Sequence, residues 1–193
     1  RTRNVAIISA EDAIDFSLSG PMIRGSGVNY DVRKANPYSG YEKFDFDIPL
    51  GKNGDAYDRY LVRLEEMRQS LRIAQQAIDG MPDGPYRAHV PGVVLPPKED
   101  VLYKMESMIF HFKIITEGFK APCGGVYQAI EAPKGELGYF IQGDGTNKPN
   151  RVRVRPPSFI NLASLPKLVE GRLFSDVVAA IGTIDIVLGE VDR

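Results

Sequence analysis

Tryptophan is absent, cysteine occurs once and histidine twice. One thiol and two imidazoles are too few to build a structural zinc or iron–sulfur site from this chain alone. The thiol, Cys123, stands in Ala121-Pro122-Cys123-Gly124-Gly125 and reads as a loop cysteine in a reducing compartment. No apolar run reaches the ~18–20 residues that cross a bilayer, and no signal-peptide pattern opens the chain. An excess of one charge is missing too. The 24 Lys+Arg and 25 Asp+Glu leave a net charge of −1, so no overall field points to nucleic acid or an anionic membrane surface. Internal repeats and low-complexity stretches are likewise missing. The 193 residues suit one domain, or most of one, with a real core. The chain starts at Arg1 in what reads as mid-element, so residues 1–193 are expected to be the C-terminal part of one domain whose N-terminal half lies elsewhere.

What is present is organised by period. Ser9 followed by Asp12 resembles a capping box, predicting a short helix over 10–18 that stops at Gly20. Residues 21–27 read as a glycine-punctuated turn, without the strand-then-helix surroundings of a phosphate cradle. Phe44, Phe46 and Ile48 alternate with Asp45 and Asp47, predicting a half-buried strand. Over 55–79, Tyr57, Tyr60, Leu61, Leu64, Met67, Leu71, Ala74 and Ile78 recur at three and four, the stripe of a long amphipathic helix. Its other face carries Arg59, Arg63, Glu65, Glu66, Arg68 and Arg72. That face is either solvated, with pairs such as Arg63–Glu66, or a set of fixed contacts with acidic groups of partner subunits.

A proline-rich loop leads to a second helix, with Val101, Met105, Met108, Phe112 and Ile115 on one stripe and Gly118 as its stop. Two long helices joined this way suggest an antiparallel pair in a bundle. His111 lies beside the stripe and reads as a core or boundary residue, since no second ligand stands at i±4. After Gly125 the period becomes two. Strands are expected over 126–131, 138–142 and 151–155, the last placing Arg151, Arg153 and Arg155 on one ion-paired face. Without interleaved aromatics that face is a poor nucleic-acid surface. A buried helix is expected over 174–183.

The last nine residues, Asp185-Ile186-Val187-Leu188-Gly189-Glu190-Val191-Asp192-Arg193, leave that helix through a run rich in Ile and Val. They are therefore expected to end inside the protein, where three acids and an arginine need partners. On spacing alone this is a core helix with a salt-bridged end. The residues themselves resemble the C-terminal metal motif of nickel–iron hydrogenase large subunits, Asp-Pro-Cys-x-x-Cys-x-x-His. Asp185 stands at the Asp, Ile186 at the Pro, Val187 and Glu190 at the cysteines and Arg193 at the His.

Other blocks extend the likeness. They are Leu18-Ser19-Gly20-Pro21-Met22-Ile23-Arg24-Gly25-Ser26-Gly27, Tyr30-Asp31-Val32-Arg33-Lys34 and Tyr57-Asp58-Arg59-Tyr60-Leu61-Val62-Arg63 with Glu66-Met67-Arg68-Gln69-Ser70. His111-Phe112-Lys113 with Thr116-Glu117-Gly118, and Glu131-Ala132-Pro133-Lys134-Gly135-Glu136-Leu137-Gly138, complete the set. The last is similar to the hydrogenase Glu-Ala-Pro-Arg-Gly segment, with Lys134 at the arginine. In this order the blocks resemble the D-subunit family of NADH–quinone oxidoreductase (respiratory complex I), a relative of those hydrogenases.

The resemblance implies a mainly α fold with peripheral β (α+β), an incomplete hydrogenase-like helical bundle with small sheets. It implies work inside a complex that passes electrons from NADH through FMN and iron–sulfur clusters to a quinone, coupled to proton translocation. The chain would act only within that complex, peripherally on the cytoplasmic side of a bacterial inner membrane, or on the matrix side in mitochondria. Its partners would be the iron–sulfur subunit carrying the terminal 4Fe-4S cluster, the C-subunit, a membrane-arm subunit at the quinone entrance and the quinone itself. Nucleic acid is not among them. The family's quinone-holding His and Tyr belong to the absent half, so the quinone-binding residues expected here are Val187, Arg193 and Asp185, with no catalytic residue and no metal ligand. A nickel–iron hydrogenase is excluded, since neither Val187 nor Glu190 offers a thiolate. The remaining alternative is a structural adaptor that keeps the fold and binds no quinone.

Overall fold

The computed structural model describes residues 1–192, so Arg193 lies outside the described residues. Mainly helical, with one small antiparallel sheet, the chain divides into two compact units. The first holds Arg1–Met81, Gln128–Gly138 and the chain from Val154 onward; the second holds Pro82–Tyr127 and Tyr139–Arg153.

In the first unit, α1 spans Ala10–Asp15 and is capped as its sequence predicts, Ser9 Oγ accepting from Asp12 N at 3.1 Å. It stops before residue 18 because Phe16 closes it and Ser17 turns left-handed at φ 55°. The expected glycine turn is in fact a buried helix, α2 (Pro21–Gly25), opened by Pro21. Pro at the first helical position needs no N–H partner, and five residues are too few to show a period. Then come α3 (Val32–Ala35), capped by the Asp31 side chain, and a 3₁₀ turn at Tyr41–Lys43.

The strand expected at 44–48 does not form. Phe46 is buried, as the alternation requires, but the backbone pairs with side chains of a helix. Asp45 N and Asp47 N donate to Gln76 Oε1 and Gln69 Oε1 at 2.8 and 3.1 Å, and Gln76 Nε2 returns a bond to Asp45 O at 2.7 Å.

That helix is α4 (Ala56–Asp79), predicted almost to the residue and capped by Asp55, which accepts from Asp58 N at 2.8 Å. Its buried residues are Ala56, Asp58, Arg59 and Val62, whereas Leu71 is 71% and Ile78 64% exposed. The apolar stripe is thus real but largely uncovered among the described residues, and the charged face is partly buried. Arg63 and Glu66 do not pair with each other; Arg63 reaches Thr183 O at 2.7 Å and Glu66 holds Arg24 at 2.7 Å. Long-range partners outcompete a surface i,i+3 pair worth a few tenths of a kcal/mol.

After the sheet the chain forms α7 (Pro157–Leu162), α8 (Leu165–Val169) and α9 (Phe174–Ile184). The core joins Ala6, Ile8, Ala13, Leu18, Met22, Ile23, Leu168, Ala180 and Ile184. The tail departs from expectation. Asp185 caps α9 in the left-handed conformation (φ 59°, ψ 53°), and Ile186 still packs on the core. Val187 is 45% exposed, and α10 (Leu188–Asp192) buries no residue. The left-handed cap redirects the backbone and ends the buried run.

The second unit holds α5 (Lys98–Tyr103) and α6 (Met105–Thr116), the predicted second helix broken at Lys104, whose backbone is extended (φ −119°, ψ 116°). The three expected strands form one sheet in the order β1-β2-β3, with β1 Gly124–Ala132 and β2 Gly135–Gly143 longer than expected and β3 at Arg151–Arg155. Of the three β3 arginines, Arg155 is tied down, to Glu136 O at 2.8 Å and Ser17 O at 3.1 Å, while Arg151 and Arg153 are exposed.

Candidate functional site

Charged side chains meet inside the first unit because short elements bring them there. The α2 helix carries Arg24, 2% exposed, inward. Its guanidinium donates to Tyr30 O at 3.0 Å, Glu66 Oε1 at 2.7 Å, Glu131 Oε1 at 2.9 Å and Asp31 Oδ2 at 3.5 Å. Asp31 is also held by Arg33, through Nε at 3.0 Å and Nη2 at 2.6 Å. Glu131, from β1, accepts from Val32 N through its other oxygen at 3.1 Å, and its own N–H donates to Tyr38 Oη at 3.0 Å.

Burial pushes the carboxyls of Glu66 and Glu131 above their ordinary range, with Arg24 opposing in both cases. For Asp31 the balance is reversed: burial pushes up, but the Arg33 bonds outweigh it and hold the carboxyl low. Burial and a hydrogen bond to Glu136 push the Tyr30 phenol up to about 12.

One turn apart on α4, Arg59 and Arg63 grip the last turn of α9. Arg59 donates to Thr183 Oγ1 at 3.0 Å, Gly54 O at 2.9 Å and Ala6 O at 2.5 Å, and Arg63 takes Thr183 O. Burial, with the neighbouring Arg63 charge, pulls Arg59 down to about 10. Thr183 precedes the Asp185 cap by two residues, so this grip sets where Asp185 points. Asp185 Oδ2 accepts from Lys134 Nζ at 3.0 Å. Lys134 sits in the two-residue turn between β1 and β2.

Glu190 accepts a hydrogen bond from Ser158 Oγ. Together Arg24, Arg33, Arg63, Glu66, Glu131 and Asp185 line a cavity of ≈ 530 Å³.

Upstream on α4, Asp58 Oδ2 accepts from Lys52 N at 2.7 Å and Asn53 N at 2.6 Å. Burial pushes its carboxyl up, but these bonds outweigh it and hold the carboxyl below the ordinary carboxylate range. A carboxyl depressed on folding adds stability above its unfolded value and loses it as pH falls through the folded one. Asp58→Asn is therefore expected to remove about 2 kcal/mol at neutral pH. It should also flatten the decline of the urea midpoint below about pH 4, the range in which the carboxyl would be protonated.

Of the residues expected from sequence at the quinone, Asp185 lines this cavity, Val187 does not, and Arg193 is outside the described residues. Arg24, Glu66, Glu131 and Arg63 join the site without having been expected there from sequence. Their types sit in the family-like sequence blocks, but nothing in spacing shows that segments 42 and 107 residues apart converge on Arg24.

The family described as respiratory-chain NADH dehydrogenase, 49 Kd subunit, matches residues 1–193. The chain is 56% identical over its whole length to the NADH-quinone oxidoreductase D-subunit of Geotalea uraniireducens, covering 50% of that protein. It is 55% identical to the D-subunit of Geobacter metallireducens, again covering 50% of it, and 54% identical to a D-subunit of Solibacter usitatus, covering 47%. Each match takes in all of this chain, which spans about half the length of the curated relatives it matches. Matched from end to end, the chain belongs to the family of the 49 kDa subunit of respiratory-chain NADH dehydrogenase.

Proposed function

We propose that this chain works as part of an NADH–quinone oxidoreductase and forms the inner wall of its quinone cavity, beside the terminal iron–sulfur cluster. Electrons from NADH pass through FMN and iron–sulfur clusters in neighbouring subunits and reduce the quinone, with proton translocation coupled to that reduction. The observation that supports this reading most is the Lys134–Asp185 ion pair at 3.0 Å. It joins, across 51 residues, the two segments that separately resemble the hydrogenase metal surroundings, and Asp185 lines a cavity at that place.

The hydrogenase metal pair itself does not fit. Val187 and Glu190 stand at the cysteine positions, and Glu190 is engaged by Ser158, so a soft ligand set is missing. Asp185, Val187 and Arg193 are assigned to the quinone's inner berth, Val187 through an apolar side chain that is 45% exposed. The iron–sulfur subunit with the terminal 4Fe-4S cluster, the C-subunit and the membrane-arm subunit at the quinone entrance are the neighbours in this reading. Among the described residues no helix is long and apolar enough to cross a membrane. In this reading the chain sits peripherally, on the cytoplasmic or matrix side.

Val187→Met tests the assignment in the intact complex. Enlarging a side chain on a filled wall costs about 1–3 kcal/mol, or roughly ten- to hundredfold in quinone KM and inhibitor titre. Assembly should be unaffected, since the side chain is not packed in the core. Wild-type KM and inhibitor titre in the assembled variant would remove Val187 from the berth.

A further inference from the structure

The cavity wall gathers carboxylates on one guanidinium. Arg33 takes Asp31 through two close bonds, and Arg24, which stands 3.5 Å from Asp31, makes its shorter contacts with Glu66 at 2.7 Å and Glu131 at 2.9 Å. Both partners of Arg24 are largely removed from solvent, Glu131 more completely than Glu66. Two like charges sharing one buried cation cannot both ionise freely, and a proton on one of them relieves the repulsion.

The hydrogen bonds say which one takes it. Both oxygens of Glu131 accept from donors, Arg24 Nη1 and Val32 N, and those bonds favour the ionised form. Glu66 uses only Oε1, towards Arg24 Nε, among the described residues, and it lines the cavity.

The other charged and titratable groups around the pair do not remove the need for that proton. Asp31 and Arg33, from the start of α3, satisfy each other. On α4, Arg63 forms no ion pair with Glu66 among the described residues and bonds Thr183 O instead. Asp185, at the end of α9, is paired with Lys134. Tyr38 accepts from Glu131 N, and Tyr41 lines the cavity wall. Burial still raises both glutamates against the pull of Arg24, to which Arg33 and Arg63 add at Glu66 without bonding it, in keeping with the geometry.

We propose that Glu66 is a proton-holding group on this cavity and hands its proton towards the quinone reduced at the Asp185 end. This rests on the quinone-wall reading above. Reduction takes one quinone, two electrons and two protons to one quinol. The two electrons come one at a time from the iron–sulfur cluster of the neighbouring subunit, which is re-reduced from NADH between the transfers. One proton leaves the Glu66 carboxyl, whose carboxylate remains on Arg24 Nε, and the other comes from solvent water. Water entering the cavity restores the Glu66 proton after the quinol leaves.

Glu66→Gln in the intact complex keeps the shape and the acceptor for Arg24 but holds no transferable proton. Quinone reduction is expected to fall on the order of 10²-fold, the lower end for a positioned proton donor. Presence of the variant chain in the purified complex reports assembly, and NADH oxidation by an artificial acceptor upstream should continue. A group that must be protonated makes the wild-type rate fall as pH rises through its pKa. That alkaline limb should vanish in Glu66→Gln, a change a purely structural carboxylate would not cause. If Glu66→Gln does not assemble, Glu66→Asp still holds a proton and should keep a limb displaced in pH. A wild-type rate and limb in assembled Glu66→Gln, or an unmoved limb in Glu66→Asp, overturns the proposal. Val187→Met, measured alongside, separates the two ideas. Altered quinone affinity there with an unchanged Glu66→Gln enzyme sinks the proton role alone, whereas unaltered affinity sinks the berth.

Discussion

Arg24→Met is expected to destabilise the protein by about 3–5 kcal/mol, because it removes the cation that, among the described residues, bonds Asp31, Glu66 and Glu131 alike. Met fills much of the same volume, so the loss is electrostatic rather than a cavity effect. Asp31 would keep Arg33, but among the described residues Glu131 would be left with Val32 N and Glu66 with no cation bonded to it. Those carboxyls would then take up protons, so the deficit should shrink on acidification, opposite to what a packing defect would do. Arg24→Lys should recover only part, since an ammonium is a point charge and cannot reproduce a fork reaching Glu66 and Glu131 from separate nitrogens. Arg72→Met is the control. That arginine is 43% exposed and its partners Asp45 and Asp47 are 78% exposed, so under 1 kcal/mol is expected. Urea midpoints at neutral and mildly acidic pH decide the matter. An Arg24→Met loss no larger than that of Arg72→Met would mean that the cluster is solvated after all.

The contrast between these two arginines shows what a sequence can carry. Helix α4 was legible because its cap, Asp55, and its three-and-four spacing are local facts, and a 24-residue helix repeats them many times. Strands β1 and β2 were legible by their period of two, but the tight turn was not: the expected strands leave 132–137 between them, where the structure leaves two residues. Arg24 and Arg72 look alike in sequence, and only the fold buries one. Helix α2 is too short for any period, so its Gly, Pro and Ser content read as a turn.

Residues 44–48 had the right period and the wrong partner. Alternation reports which side chains are buried, and here glutamines of α4 supply the hydrogen bonds a neighbouring strand would have given. The tail shows a third kind of miss. An apolar run signals surface that needs cover, not that this chain provides it. Val187 and Leu188 are exposed, as is much of the α4 stripe. Within the site, Asp185 and Lys134 could be named because each sits in a block with a family likeness. Glu66 reads in sequence as half of an i,i+3 pair with Arg63, yet in the fold each reaches a distant partner instead.

The same long-range convergence makes Gly20→Ala the second large effect. Gly20 precedes α2 at φ 68°, ψ −148°, a conformation essentially reserved for glycine. Its backbone lies against the hairpin turn. A Cβ there would stand 2.6 Å from Gly135 Cα and 2.7 Å from Lys134 O, both backbone atoms that cannot swing aside. The crossing is fastened on both sides: Ser19 Oγ accepts from Glu136 N at 3.0 Å, and Asn161 Nδ2 donates to Lys134 O at 3.2 Å. Parting these segments would move Arg24 relative to Glu131, and Lys134 relative to Asp185. Backbone strain of about 1–3 kcal/mol and an overpacking penalty of similar size add, so a loss of about 4 kcal/mol is expected. Gly40→Ala isolates the conformational part. Gly40 is also left-handed, at φ 87°, but a Cβ there would meet nothing within 4 Å. It should lose only about 1–2 kcal/mol. If urea unfolding gave the two variants the same loss, the close crossing at Gly20 and Gly135 would not be what holds the charged site together.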